Sequence, residues 1–114
     1  MARWKVTVRI DSDVSRQGFE DLDSAIAAAE AAADEALADG PMESVTAFRD
    51  YSPDQLVKAR IEISGKGLLS APTAGLDIQG DGGMLAFKGA VIRKPLEANS
   101  RKEVFAAIRQ ALEQ

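Results

Sequence analysis

Few residues in this sequence have side chains suited to catalysis or metal binding. The 114-residue chain contains no cysteine and no histidine, which excludes disulfides, thiolate or imidazole metal ligands, and nucleophile–imidazole pairs. The carboxylates of Asp11 and Asp13 are of the type that binds hard cations. A calcium loop beginning at Asp11 would need glycine at its sixth position and an acid at its twelfth, where the sequence has Arg16 and Leu22. We therefore interpret both carboxylates as turn or strand-end residues and predict neither a metal nor a cofactor.

A second carboxylate pair, Asp77 and Asp81, is the basis for an enzyme hypothesis. Such a pair could do acid–base work or hold magnesium, although its spacing requires neither. Glycine clusters at 65–67 and 80–83 could present backbone N–H groups to a phosphate, but they lack the spacing of nucleotide-binding loops. Hairpin connections explain them better, so an enzyme is the least favoured of three function hypotheses.

The elements that would position these residues follow from hydrophobic periodicity. Alternation predicts a strand over 4–10, with Val6 and Val8 on the core side, and the unpatterned residues 11–18 indicate a loop. Apolar residues at three- and four-residue spacing then predict a helix over 22–39, with Asp21 or Asp23 as its cap.

The second half of the chain is typical of a strand meander that ends in a helix. We predict strands over 45–51, 57–64 and 75–79, and a last strand over 84–92 with a bulge at Gly89. Ser100 and Glu103 have the spacing of a capping box that opens a C-terminal helix.

These elements predict one α+β domain over residues 1–114, in the order βαββββα. Short connections favour an antiparallel sheet of about five strands, with a mixed sheet as the alternative. Two amphipathic helices can cover only one face of such a sheet, which makes the fold a two-layer sandwich. Because a helix joins the first strand to the second, a split βαβ arrangement with the N-terminal strand inside the sheet is compatible with this order, although the full strand order stays open.

Charge is divided unevenly along the chain. Eight of the 18 acidic residues lie between Arg16 and Arg49, an interval without lysine or arginine, although the formal net charge is only −4. Strand alternation places five cations on the sheet face opposite the helices, as candidate ligands for phosphates, nucleic acid or an acidic protein. These candidate binding residues are Arg3, Lys5, Arg9, Lys58 and Arg60.

The last predicted strand is apolar on both faces. Its second face needs a cover, and in a small chain a second copy is the simplest one, because symmetric homodimers are the commonest assemblies. The candidate interface residues are Met84, Leu85, Ala86, Phe87, Val91 and Ile92.

We therefore expect a small non-catalytic protein that acts by association, as a homodimer or protein-interaction module. The alternative is an anion- or nucleic-acid-binding regulator that uses the basic sheet face. The N-terminus carries no signal-peptide pattern and no run of apolar residues reaches a membrane span, so the expected compartment is the cytoplasm, without a membrane partner.

Overall fold

The computed structural model of the chain describes residues 3–10, 13–38, 57–65, 72–89 and 92–113. Six strands and two helices lie within these ranges. In chain order they are β1 (Trp4–Ile10), β2 (Asp13–Phe19), α1 (Leu22–Ala38), β3 (Val57–Gly65), β4 (Thr73–Gln79), β5 (Met84–Lys88), β6 (Lys94–Pro95) and α2 (Arg101–Glu113).

The strands form one sheet in the order β2-β1-β3-β4-β5-β6, and every neighbouring pair is antiparallel. This arrangement confirms the predicted α+β class and the antiparallel sheet. The N-terminal strand lies inside the sheet, between β2 and β3, as the split βαβ interpretation predicted.

The hydrophobic core lies between the sheet and both helices. Helix α1 packs on β1 and β3, and α2 packs on β4 and β5. Alanines line most of the buried side of α1, whereas α2 contributes larger side chains. The fully buried residues Ile61, Ile63, Leu76, Ile78 and Ile108 form the centre of this core.

Both helices begin at the caps that the sequence indicates. The Asp21 carboxylate accepts a hydrogen bond from the Ser24 N–H at 2.7 Å, which lowers the pKa of Asp21. Ser100 Oγ accepts from the Glu103 N–H at 3.2 Å. The Glu103 carboxylate in turn accepts from the N–H of Asn99 at 2.8 Å, one residue before the position that a capping box would use.

Two local predictions were wrong. Residues 13–19, expected to be loop, form the edge strand β2, whose polar sequence lacks alternation because both of its faces are exposed. Strand β5 ends at Lys88, just before Gly89 with its φ of +98°, and Ile92 is not in a strand, while residues 90–91 of the predicted strand lie outside the described residues. The predicted strand over 45–51 lies outside the described residues.

None of the helices in the described ranges is both long and apolar enough to cross a membrane.

Candidate interaction surface

The sheet face opposite the helices, called the open face here, is organised in rows of directly paired residues. One row runs Val14, Arg9, Arg60, Asp77 and Leu85 from β2 to β5. The next row runs Arg16, Thr7, Glu62, Gly75 and Phe87 across the same strands. Directly opposite residues in an antiparallel pair lie on one face about 5 Å apart, so these rows fix which side chains are neighbours.

The predicted binding residues have different roles on this face. Lys5 and Arg9 lie on it and are exposed, as alternation predicted, and Arg3 is exposed just before β1. Lys58 lies in an irregularity between Val57 and Ala59, where the pairing with β4 shifts by one residue. Simple alternation therefore does not determine the direction of Lys58.

Arg60 is held by a carboxylate on the neighbouring strand. Its Nε and Nη2 atoms donate to Oδ1 and Oδ2 of Asp77 at 2.6 and 3.0 Å, a bidentate pair with both partners partly buried. The hydrogen bond to Asp77 is the main cause that raises the pKa of Arg60. This geometry makes Arg60 mainly a cross-strand link, with less capacity than Lys5 or Arg9 to bind an external anion.

Phe87 lies on the open face yet is only 5% exposed. The guanidinium carbons of Arg60 and Arg93 lie 5.8 and 5.5 Å from its ring centroid, within the range of cation–π contact. Arg93 also donates to Glu62 at 3.3 Å. The arginines thus provide, within one chain, much of the cover that the sequence argument assigned to a second copy.

Arg16 belongs to this surface but was missing from the predicted set. The sequence predicted a loop over 11–18, so Arg16 was not assigned to the sheet. In the structure Arg16 belongs to β2, opposite Thr7 and diagonal to both Lys5 and Arg9. Diagonal neighbours lie about 7–8 Å apart, within reach of long side chains. Lys5, Arg9 and Arg16, called the cation patch here, form no ion pair among the described residues.

The predicted interface residues divide between the two faces. Ala86 is buried on the helix side and Met84 packs against the same core, while Leu85 is 54% exposed on the open face. Ile92, in the connection from β5 to β6, is 76% exposed, and Val91 lies outside the described residues. Leu85 and Ile92, called the apolar patch here, are the exposed part of that prediction.

The candidate catalytic carboxylates have separate partners. Asp77 binds Arg60, and Asp81 accepts a hydrogen bond from the Gly83 N–H at 2.9 Å in the β4–β5 turn. Gly82 has φ +93° in that turn, the hairpin role expected of the 80–83 cluster. Among the described residues, no three acidic side chains are grouped closely enough to hold a metal ion, and Asp11 lies outside those residues.

The surface therefore offers binding chemistry at two places on one sheet face. The cation patch lies at its β1–β2 end, and the apolar patch lies at its β5–β6 end. Comparisons of the chain with protein-family models, with curated proteins and with solved structures found no match.

Proposed function

We propose that this chain is a non-catalytic protein that works by association, and that a second copy of itself binds at the apolar patch. The observation that supports this proposal is the 54% exposure of Leu85 on a sheet face that no described helix covers, with Ile92 also exposed in the connection that follows β5. Covering an exposed apolar side chain of this size with a second copy would remove its apolar surface from water, which favours association. The cysteine-free sequence is compatible with the cytoplasm as the compartment.

Charge supports this end of the sheet over the other as the place where two copies meet. Arg60 is paired with Asp77 and Arg93 with Glu62, so the two arginines that stack on Phe87 are balanced by acids. A symmetric contact at the cation patch would instead bring together the cations of both copies, which form no ion pair among the described residues. The apolar patch avoids that repulsion.

Leu85→Glu is expected to weaken the dimer by at least about tenfold. A carboxylate forced into the contact loses water without gaining a partner, and tenfold corresponds to only about 1.4 kcal/mol. Sedimentation velocity over a wide range of protein concentration measures the change.

Val14→Glu is the matched control, because Val14 is an exposed apolar residue in the same row, four strands from Leu85. It should leave the dimer intact. A wild-type chain that sediments as a monomer at every concentration would refute the proposed homodimer, and so would equal effects of the two variants.

Anion binding is the second candidate function, and the unpaired state of the cation patch among the described residues favours it. Grouped cations attract phosphate-rich polymers even in a chain of net negative charge, because the local field matters at close range. Stacking of a nucleic-acid base on Phe87 would not add to this binding, because arginines cover the ring and leave it 5% exposed.

If this second function holds, a single-stranded oligonucleotide should bind at low salt and dissociate as salt rises. For each phosphate contact, the slope of log K against log salt changes by about 0.7, so Arg9→Ala or Arg16→Ala should flatten it by that amount. A mobility-shift titration at several salt concentrations measures this slope. Lys102→Ala, on the helix layer, should leave the slope unchanged, and lack of binding at low salt would exclude the function.

A further inference from the structure

Strand β2 forms one edge of the sheet along seven residues, Asp13–Phe19. Its pairing with β1 runs in continuous register, without proline or bulge, and its other side pairs with no strand among the described residues. The opposite edge is the two-residue strand β6, which contains Pro95. Proline and short length are ordinary ways to protect a sheet edge, and β2 uses neither.

A groove of about 590 Å3 lies beside this edge, on the helix side of the sheet. Val8 and Ile10 of β1 line it from the sheet, and Ala28 and Ala32 line it from α1. Its polar lining consists of Arg16 and Gln17 of β2 and Glu35 of α1, in addition to Ser15. Alanine side chains are too short to fill the space between helix and sheet, so Val8 and Ile10 remain only partly buried. The small Ser15, directly opposite Val8, also lines the groove and leaves access across β2.

The two sides of β2 therefore differ in what they would offer an added strand. On the open face an added strand would lie beside the Arg16 side chain of β2, and Arg9 on β1 is the diagonal neighbour of Arg16. On the helix side a long apolar side chain could pass over Ser15 into the groove. Because successive side chains of a strand point to opposite faces, a complementary strand would alternate acidic and apolar residues.

We propose that the β2 edge binds an extended acidic–apolar segment of a partner protein by adding it to the sheet as a further strand. Backbone hydrogen bonds to β2 supply affinity in this mode of recognition, and alternate side chains supply specificity. Charge complementarity selects a foreign acidic segment over a second copy, because a β2 strand carries Arg16 where the acid is required. This site is separate from the apolar patch at the other end of the sheet.

A synthetic peptide of alternating glutamate and leucine is the probe, and a peptide of the same composition with its glutamates and leucines in separate blocks is the control. Alternation should give tighter binding by isothermal titration calorimetry. Arg16→Glu should weaken it by about tenfold, since an attraction becomes a repulsion. Lys102→Glu makes the same change of charge on the helix layer and should have no effect.

Amide hydrogen exchange identifies the binding site independently of affinity. Every second amide of β2 should become protected when the alternating peptide binds, because alternate N–H groups point outward from an edge strand. Equal affinity for both peptides, or protection confined to other elements, would overturn the proposal. So would self-association of the free chain that protects the β2 amides.

The same experiments distinguish the β2 binding site from the proposed homodimer contact. Leu85→Glu should bind the alternating peptide as the wild-type chain does, since Leu85 lies four strands from β2. Loss of the dimer with retained peptide binding would support both sites. Retained dimer without peptide binding would overturn only the β2 proposal.

Discussion

Gly75→Ala should destabilise the fold by roughly 3 kcal/mol or more, which is large against a typical total stability of about 5–15 kcal/mol. A Cβ atom at this position would overlap the Ile61 carbonyl oxygen and would lie 3.0 Å from both Glu62 Cα and Phe87 Cζ. Two of these three neighbours are backbone atoms of the central strand β3, which cannot move away without breaking its pairing with β4. Urea unfolding of the variant measures the loss.

Gly82→Ala is the control that separates steric overlap from loss of a glycine. The nearest atom to a Cβ at Gly82 is Leu37 Cδ2 at 3.7 Å, an ordinary contact, so the cost there arises from the positive φ of 93°. That cost should be about 1 kcal/mol. If Gly75→Ala costs no more than Gly82→Ala, the close approach of β3 and β4 at Gly75 is not as tight as described.

Phe87→Ala should cost about 3 kcal/mol, even though this ring lies outside the core beneath the helices. Removing it would expose the strand at Gly75 and would leave Arg60 and Arg93 without the surface on which they stack. Urea unfolding again measures the change.

Phe87→Leu is the matched control and should cost less than about 1.5 kcal/mol, because it keeps most of the apolar volume. A loss below about 1 kcal/mol for Phe87→Ala would mean that the ring is a solvated surface group. The double variant Gly75→Ala with Phe87→Ala should be less destabilised than the sum of the singles, since one of the three close contacts is then absent.

The elements that the sequence predicted correctly are those with one solvent-exposed face and one buried face. In β1 and β3, Val6, Ile61 and Ile63 alternate with polar residues, and in α2 Val104 and Ile108 recur at helical spacing, so the period itself identifies the element. Strand β2 has no buried face, so its sequence carries no period. Its strand form depends on backbone pairing with β1, which residue types alone do not encode.

The surface was only partly predictable for the same reason. Alternation placed Lys5, Arg9 and Arg60 on the open face, but the register that joins Arg60 to Asp77 is a long-range property of the paired strands. The burial of Phe87 depends on the same register, because Gly75 lies opposite and leaves room for the ring. The sequence would have placed Arg16 on the open face only if residues 13–19 had been predicted as a strand that pairs with residues 4–10.

The unequal edges of the sheet limit what strand addition can build. A segment that adds to β2 can pair with seven residues of this strand, whereas the opposite edge, in the part of the chain that the structure describes, is the two-residue strand Lys94–Pro95. Proline cannot donate a ladder hydrogen bond, so that side is a poor template for another strand. Growth from β2 is therefore self-limiting, because among the described residues the sheet has no second edge that matches β2 and through which copies could polymerise into a fibre.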